Sequence, residues 1–278
     1  MRTEIRQLVS PMTTNGSARR PSTAEASPGP GFRVQWDVRR PERGLVERFR
    51  AFDAPTISDR LNRLYTMCEA IHPLTRQAPT VLGPACTVKV YPGDNLMVHK
   101  ALDVARAGDV IVVDASSATT FAVLGDLVSQ KARHRGIAGF VVDGLVRDLP
   151  AILDMHDFPV FARGFTPIGP LHRGPGEINY PVSVGGIVVH PGDIIVGDLN
   201  GVVVVPRGCA DEVIETLEAR AEVEAAYAAA VARGDFSTAW VDETLRAAGI
   251  ELPAPAGGPF GPDAGEGTSD GRAFARTQ

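Results

Sequence analysis

Asp126 and the adjacent pair Arg147-Asp148 are residues whose types and spacing could carry chemistry. Twenty residues separate Asp126 from Arg147, and this stretch has room for one helix and one strand. Two carboxylates and a guanidinium at one edge of a sheet would suit a divalent metal ion and a small oxo acid. Hard cations prefer oxygen ligands, and a guanidinium pairs with carboxylates. The spacing predicts such a site if the fold brings the three side chains together.

Two apolar runs on either side of a helical segment would position these residues. The runs DVIVVD (109–114) and IAGFVVD (137–143) are short and rich in β-branched residues, which predicts buried strands. Residues 126–135 between them have helical spacing that stops at Gly136. A strand–helix–strand unit of this length is a crossover between parallel strands, and such crossovers are right-handed. The segment therefore predicts a βαβ core.

The geometry of a βαβ unit brings the chemical residues to one side. The helix N-terminus and the carboxyl ends of the strands share the edge where α/β proteins bind ligands. Asp126 begins the helix, and Arg147-Asp148 follow the second strand, where we expect Asp143-Gly144 to form the turn that exposes the pair. Each residue also has an ordinary structural interpretation: Asp126 as a simple N-cap, and Arg147-Asp148 as a surface ion pair worth about 0–1 kcal/mol. Their expected convergence favours the functional interpretation.

The composition is that of an ordinary globular protein and excludes several classes of function. The chain has 278 residues, 44% hydrophobic and 22% charged, with a net charge of −5 and no long basic stripe, so nucleic-acid binding has little electrostatic support. Three scattered cysteines without CxxC spacing favour a reducing compartment. No apolar run approaches the roughly 20 residues of a membrane helix, and no apolar segment follows the N-terminal arginines. We expect a cytoplasmic protein.

The chain is expected to hold one folded domain over residues 34–252, between a disordered leader at 1–31 and a disordered tail at 253–278. Beyond the βαβ core, helical spacing predicts helices at 41–52, 56–66 (capped by Thr56 or Ser58), 96–108, 208–233 and 239–249. Short apolar runs predict strands at 84–91, 158–164, 184–190, 193–198 and 201–206. The later strands follow one another through Gly, Pro and Asp turns. This order favours an α/β core with an antiparallel or barrel-like β segment stacked on it.

At this point the residues resemble the RraA-like family, and within it the class II pyruvate aldolases that act on 4-hydroxy-4-methyl-2-oxoglutarate and 4-carboxy-4-hydroxy-2-oxoadipate. The resemblance rests on the run GDL (125–127) and on the pair Arg147-Asp148, which is separated from the Asp of that run by twenty residues. It continues through YPGDNLMVHKAL (91–102), AGDVIVVD (107–114), GIAGFVVDGLVRDLPAI (136–152), FPVFARG (158–164) and PGDIIVGDLNGVVVVP (191–206). It implies a layered α/β/α sandwich, similar to swivelling domains, that assembles as a homotrimer or a homohexamer.

The resemblance also implies a role for each site residue. Asp148 would be the direct protein ligand of a Mg²⁺ or Mn²⁺ ion that keeps several waters, and Asp126 would orient those waters. Arg147 would contact the keto oxygen of pyruvate and stabilise its enolate. The backbone N–H groups of Gly125, Asp126, Leu127 and Val128 would hold the pyruvate carboxylate. A carboxylate from the C-terminal helix of a neighbouring subunit would complete the site, with Glu222 and Glu224 as the candidates.

The residue types support metal chemistry independently of the resemblance. Retro-aldol cleavage of a 2-oxo acid needs an electrophile that absorbs the enolate charge. A Schiff-base lysine is one solution, but Lys89, Lys100 and Lys131 have no sequence setting that would lower a lysine pKa. A metal ion is the alternative, because it polarises the keto group and lowers the pKa of bound water. Such a site would also decarboxylate oxaloacetate, since that reaction passes through the same pyruvate enolate.

Two other interpretations stay open. The protein could be a lyase or decarboxylase of the same chemistry with a different substrate. Alternatively, it could bind and inhibit ribonuclease E without catalysis, as some members of the resembled family do; those members tend to lose the Asp that follows the Arg, whereas Asp148 is present. His99 follows Asp94-Asn95 at a helix start and could contact substrate or be structural. The six histidines show no HExxH or HxH spacing, so a zinc site is not expected.

Overall fold

The computed structural model describes residues 30–75 and 80–252. They belong to two compact units, residues 1–220 and 221–278. The strands are β1 (Phe32–Val34), β2 (His72–Pro73), β3 (Val81–Val90), β4 (Val110–Asp114), β5 (Ala122–Leu124), β6 (Gly139–Val146), β7 (Val160–Phe165), β8 (Gly176–Ile178), β9 (Val182–Val184), β10 (Ile187–Val189), β11 (Ile194–Asp198) and β12 (Gly201–Val205). The helices are α1 (Arg43–Arg48), α2 (Ala54–Arg60), α3 (Leu96–Val104), α4 (Asp126–His134), α5 (Leu149–Leu153), α6 (Ala210–Ala232) and α7 (Ala239–Ala247).

A large mixed sheet forms the centre of the first unit. Its strand order is β1-β8-β3-β4-β6-β7-β2, with β5 beside β6, and β11 joining β3 to β12. Strands β3, β4, β6 and β7 are parallel neighbours, and α4 lies in the connection between β4 and β6. The predicted βαβ core is therefore confirmed, and all five residues of β4 and all eight of β6 are buried.

Apolar side chains on the two faces of the sheet build separate cores. Alternate residues of β4 and β6, including Ile111 and Phe140, pack with helices α3, α4 and α5 on one face. Their neighbours Val112 and Val141 face the opposite way and pack against the β9–β12 segment. Helices α1 and α2 and the first part of α6 cover the β11–β12 hairpin with a third core. The expected mixed α/β architecture, with a β segment stacked on an α/β core, is confirmed.

Several local predictions need correction. The helix expected at 56–66 is α2 at Ala54–Arg60, and Asp53 caps it by accepting from the Thr56 N–H, 3.0 Å away. The run 184–190 is not one strand, because Gly185 and Gly186 both have positive φ and turn the chain between β9 and β10. Asp143 is not in a turn but inside β6, where it is buried.

The described part of the second unit, residues 221–252, contains the rest of α6 and all of α7. Val223, Tyr227 and Val231 recur at intervals of four along α6 and are 42–68% exposed. Helix α7 has no buried residue and exposes Trp240 at 63%. The second unit thus presents apolar side chains at its surface.

The expected single domain over 34–252 stays a prediction. The leader, apart from Pro30 and Gly31, and the tail lie outside the described residues. Among residues 30–75 and 80–252, no helix combines the length and the apolar character needed to cross a membrane.

Candidate functional site

Arg147 and Asp148 lie directly against the start of helix α4. The Arg147 N–H donates to the carbonyl of Leu124, 3.0 Å away, which joins the end of β6 to the end of β5. The Arg147 Nε is 3.2 Å from Asp148 Oδ2, and the two side chains are 44% and 39% exposed. A guanidinium and a carboxylate thus meet at an open edge of the sheet beside a helix N-terminus, as the spacing predicted.

Gly125, the residue before α4, makes this approach possible. A Cβ at this position would overlap Asp148 Oδ2 and would lie 2.9 Å from Arg147 Cγ and 3.2 Å from its Nε. Even an alanine would therefore push the pair away from the helix start. The backbone of Gly125 is fixed as well, since its carbonyl accepts from the N–H and the hydroxyl of Ser129.

Asp148 adopts a left-handed backbone conformation, with φ 59° and ψ 39°, at the N-cap of α5. Non-glycine residues visit this region at a cost, although Asp and Asn tolerate it better than most. The Asp148 carboxylate makes no capping hydrogen bond to α5 that would offset this cost. A strained residue without a local structural benefit is typical of a functional position.

The first turn of α4 contributes backbone groups and one carboxylate. The Asp126 Oδ1 accepts from the N–H of Leu127 at 2.7 Å, and its Oδ2 is 3.3 Å from the Gln130 side-chain amide. One of the predicted backbone donors is therefore already engaged by Asp126. Leu127 is 63% exposed, whereas the side chain of Val128 is 7% exposed and belongs to the core, so Val128 can offer only its main chain.

A loop after β7 passes over the guanidinium. A Cβ on Gly169 would lie 2.6 Å from Nη1 of Arg147, so a larger residue there would displace the guanidinium. The Thr166 N–H donates to the Val146 carbonyl, and the Ala122 N–H donates to the Ile168 carbonyl, both at 2.9 Å. Arg147 is thus held between this loop and Gly125. The sequence analysis did not identify Gly169, and its only signal was a glycine next to Pro170.

A row of four charged residues crosses the face of the sheet opposite α4, and the sequence analysis missed it as a set. Lys89 Nζ is 2.8 Å from Asp114 Oδ1, and Arg163 pairs with Asp143. Asp114 and Asp143 are register partners on β4 and β6, with side chains only 6% and 5% exposed. The signal was a charged residue at the end of each of four apolar strand runs.

The environment of Asp143 shifts its ionisation. Burial raises the pKa of this carboxyl, but hydrogen bonds from Arg163, the Gly185 N–H and the Ser117 hydroxyl outweigh that effect, so its pKa is lowered overall. The carboxylate form is therefore the stable one in the folded protein. This ion pair anchors the middle of β6, four residues before Arg147.

His99 has a neighbour that the sequence did not suggest. Its ring lies edge-on to that of His172, with ring centroids 5.6 Å apart, and His172 Nδ1 is 2.6 Å from Asn95 Oδ1. Burial lowers the pKa of His99, and the positive potential of His172 and Lys131 lowers it further. Neutral imidazole is thus the favoured form of His99 near pH 7.

The groups at the site fit a hard cation that keeps most of its waters. No cluster of three or more His, Cys, Asp or Glu side chains suited to a metal occurs within residues 30–75 and 80–252. A closed protein cage is therefore not present in this part of the chain. One accessible carboxylate, Asp148, set in the space that a Cβ on Gly125 would fill, matches the one or two carboxylates that commonly hold Mg²⁺.

Glu222 and Glu224, the predicted carboxylates from a neighbouring subunit, lie on the part of α6 that belongs to the second unit, and both are exposed. Their assigned role, like the roles of Arg147, Asp126 and Asp148, stays a prediction.

Comparisons with known proteins agree with this fold. A family model described as "RraA-like: Aldolase/RraA" matches residues 54–204, more than half of the chain. A protein of Halalkalibacterium halodurans named "Putative 4-hydroxy-4-methyl-2-oxoglutarate aldolase" is 45% identical over 171 residues, which are 62% of this chain and 80% of that protein. An Arabidopsis thaliana protein named "Putative 4-hydroxy-4-methyl-2-oxoglutarate aldolase 3" is 34% identical over 49% of this chain and 82% of its own length.

Solved structures show the same architecture. Streptomyces coelicolor RraAS2, described as an unusual member of the RNase ES inhibitor RraA protein family, has a TM-score of 0.62 and 29% identity, covering 68% of this chain and 97% of that one. A protein of Pseudomonas syringae has a TM-score of 0.63 and 27% identity, covering 72% and 97% of the two chains. The chain therefore belongs to the RraA-like family.

Proposed function

We propose that this protein is a divalent-metal-dependent lyase that cleaves a 4-hydroxy-2-oxo diacid and releases pyruvate. The observation that carries the proposal is the contact of Arg147 and Asp148 with the glycine that begins α4. A guanidinium, an accessible carboxylate and a helix N-terminus meet there, and groups of these types could bind a small 2-oxo acid. Relatives named as aldolases support the reaction class.

The cleavage breaks the C3–C4 bond of the substrate. The C4 hydroxyl loses its proton to water as the C4–O bond becomes a carbonyl, and the bonding electrons move into the C2 keto group to form the enolate of pyruvate. A proton added at C3 then completes pyruvate. The protein must therefore stabilise negative charge on the C2 oxygen and accept one proton near C4.

The residues around the site can meet these needs. The N–H groups in the first turn of α4 have no acceptors within the helix, so those not taken by Asp126 can bind the C1 carboxylate. The Arg147 guanidinium, fixed between Gly125 and Gly169, would donate to the enolate oxygen. Asp126 would orient the water that takes the C4 hydroxyl proton.

Asp148 would hold Mg²⁺ or Mn²⁺, with water filling the remaining positions. When bound, the ion supplies Lewis-acid polarisation of the keto group. The same polarisation supports oxaloacetate decarboxylation as a side activity, since loss of CO₂ from oxaloacetate leaves the same enolate.

A Schiff-base mechanism has little support from the lysine environments. Lys89 Nζ lies 2.8 Å from Asp114 Oδ1, and Lys100 Nζ lies 3.0 Å from Asp103 Oδ2. Both side chains are thus engaged in ion pairs, whereas a Schiff-base lysine needs a free amine to attack a carbonyl.

The proposed site is open at the sheet edge, and we propose that a homotrimer, or a homohexamer of two trimers, closes it. Glu222 or Glu224 of a neighbouring copy would supply the additional carboxylate. The apolar side chains exposed on the second unit are of the kind that oligomer contacts bury.

Pyruvate release coupled to NADH oxidation by lactate dehydrogenase tests the proposal, with 4-hydroxy-4-methyl-2-oxoglutarate as substrate. We expect activity that EDTA abolishes and that added Mg²⁺ or Mn²⁺ restores. Asp148→Ala should lose at least about 1,000-fold in kcat, because the metal would have lost its only direct protein ligand. Asp154→Ala, at the other end of α5, is the matched control and should retain activity. Activity indifferent to EDTA would reject the metal mechanism.

The likeness to RraAS2 gives a second candidate function, the inhibition of ribonuclease E by binding. A binding inhibitor needs no carboxylate at position 148. Tight binding to ribonuclease E that survives Asp148→Ala, together with no lyase activity, would favour this alternative.

A further inference from the structure

A cavity of about 500 Å³ opens over the row of charged residues on the sheet face opposite α4, and we call it the polar cavity. Its lining contains all four members of that row, which are Lys89, Asp114, Asp143 and Arg163. Three serines also line it: Ser116 and Ser117 from the loop after β4, and Ser183 from β9. None of these groups takes part in the proposed lyase chemistry.

The charges in the polar cavity follow the strand order. Lys89 on β3 and Arg163 on β7 lie at the two ends, and the aspartates of β4 and β6 lie between them. The side chains of Lys89 and Arg163 are 42% and 21% exposed, whereas those of Asp114 and Asp143 are only 6% and 5% exposed. A ligand in the cavity therefore meets a cation at each end and deeper carboxylates in the middle.

The oxygens of Asp114 already accept hydrogen bonds within the protein. Its Oδ1 is 2.8 Å from the Lys89 ammonium and accepts from the Ser116 N–H, also at 2.8 Å. Its Oδ2 accepts from the Ser183 N–H at 3.2 Å. These donors balance the charge of the buried carboxylate.

Asp143 is satisfied in the same way. It accepts from the Arg163 guanidinium, from the Gly185 N–H at 2.8 Å and from the Ser117 hydroxyl. Because both aspartates are engaged internally, the groups left for a ligand are mostly hydrogen-bond donors. The polar cavity is therefore suited to a molecule that is rich in acceptors.

Each cation keeps donors that can face such a molecule. Lys89 directs its ammonium at Asp114 and at the Ser116 hydroxyl, 2.9 Å away, which leaves one of its three N–H groups. Arg163 pairs through Nε, and its Nη2 lies 3.8 Å from the Cys68 sulfur, so the guanidinium has N–H groups to spare. Charge-assisted hydrogen bonds from both ends of the cavity are thus available to an anion.

The nearest other acidic group does not neutralise Lys89. Glu177 on β8 is the register partner of Lys89. Its carboxylate pairs with Arg33 at 2.6 Å and accepts from the Gly31 N–H at 2.7 Å. The charge of Glu177 is therefore balanced on the side away from the polar cavity.

The strand spacing sets the length of ligand that both cations can hold. Lys89 and Arg163 stand three strand spacings apart, which separates their Cα atoms by about 14 Å. Both side chains lean inward to the aspartates between them, which brings the cationic groups to about 10 Å or less from each other. Two hydrogen-bonded contacts take up about 6 Å of this distance, so about 4 Å remains between the anionic groups of a ligand.

We infer that the polar cavity binds a small dicarboxylate of four or five carbons, with one carboxylate on Lys89 and the other on Arg163. The methylene groups between the carboxylates would lie over Asp114 and Asp143, which keeps like charges apart and makes the order of charges complementary. The hydroxyl of Ser183 would add a donor at the mouth of the cavity. The site uses no metal and none of the proposed lyase residues, so the inference does not depend on the proposed function.

Isothermal titration calorimetry of the full chain with succinate, glutarate and butyrate tests the inference, in low-salt buffer freed of metal by a chelating resin. We expect the better of the two dicarboxylates to bind at least about tenfold more tightly than butyrate, which has a single carboxylate. Lys89→Gln should weaken this binding at least about tenfold, whereas Lys89→Arg should retain it. Lys100→Gln is the matched control, since Lys100 pairs with Asp103 outside the cavity, and should bind as the wild type does.

Two further variants make the outcome decisive. Ser183→Glu leaves both ion pairs in place but sets a negative charge at the cavity, and should also weaken binding at least about tenfold, with circular dichroism as the check on folding. Asp148→Ala, which alters the proposed lyase site, should leave binding unchanged. Dicarboxylate binding that Asp148→Ala abolishes, or that both Lys89→Gln and Ser183→Glu leave intact, would overturn the inference. Equal affinity for butyrate, or no binding of either dicarboxylate, would overturn it as well.

Discussion

Gly125 and Asp148 are packed so closely that a methyl group on the glycine would overlap the carboxylate Oδ2. Gly125 is the N-cap of α4 and Asp148 is the N-cap of α5, and their contact defines the site. Gly125 has an extended backbone that other residues also adopt, so the demand for glycine here is one of space.

Gly125→Ala should reduce lyase activity by at least about 100-fold while the protein stays folded, because displacement of a catalytic group by about 1 Å has effects of this size. Steady-state pyruvate release measures the loss, and circular dichroism checks the fold. Gly44→Ala in α1 is the control, since nothing lies within 4 Å of a Cβ there. Full activity of the Gly125 variant would show that the contact has no catalytic importance.

Asp148→Gly should separate stability from function. Glycine adopts the left-handed conformation without strain, and the ion pair with Arg147 that the substitution removes is half exposed. We therefore expect the free energy of unfolding to stay the same or rise by up to about 1 kcal/mol. Activity should fall by at least about 1,000-fold, since no carboxylate remains for the metal. Urea denaturation and the pyruvate assay measure the two effects. A large loss of stability would contradict the view that Asp148 is strained for function.

Asp143→Asn should destabilise the protein in a manner that depends on pH. Because hydrogen bonds lower the pKa of Asp143 in the folded state, its carboxylate stabilises the fold fully above about pH 4, the unfolded value, and this contribution fades as the pH falls through the folded pKa. Removing one partner of a largely buried pair leaves Arg163 unpaired, at a cost of about 3 kcal/mol near pH 7.

Urea denaturation at pH 7, 5 and 3 measures this effect, and we expect the difference from wild type to narrow at pH 3. Asp157→Asn removes the partner of Arg133 in an exposed pair and serves as the control, with an expected change below about 1 kcal/mol. An equal difference at all three values of pH would show that the ionisation of Asp143 is not involved.

Cys86 should be inert in the folded protein. Burial, helped by the negative charge of Asp109, raises the pKa of its thiol to about 12, and the thiolate is the reactive form. Iodoacetamide at pH 8, followed by peptide mass spectrometry, should label Cys86 only after addition of denaturant. Labelling at similar rates with and without denaturant would mean that this part of the sheet opens readily.

The βαβ core and the meeting of Arg147 and Asp148 with the start of α4 could be predicted because they depend on local patterns. Strands β4 and β6 come from continuous apolar runs, and the helix between them begins and ends at recognisable residues. Strands β1, β5 and β8 have three residues each, too few for a period of two to show. Strand β5 could therefore not be predicted from the sequence, although this strand leads directly into Gly125.

Other parts of the site depend on contacts between distant residues. Asp143 was taken for a turn residue because it stands next to a glycine, and its pairing with Arg163, twenty residues away, does not show in the local pattern. Gly169 and Arg147 meet through the path of a loop, which no spacing rule describes. The row of Lys89, Asp114, Asp143 and Arg163 can be recognised only once the strand order is known.

Strand β6 constrains how related genes can diverge. Asp143 of this strand must face one side of the sheet while residues 140 and 142 face the other. The last residue of the strand directly precedes Arg147. Loss or gain of one residue between Gly139 and Asp148 would shift the alternation of side chains along β6. The carboxylate of Asp143 would then face helices α3–α5, and the guanidinium of Arg147 would leave its position beside Gly125. We expect descendants of this gene to vary freely in the lengths of surface loops but to keep this ten-residue interval unchanged.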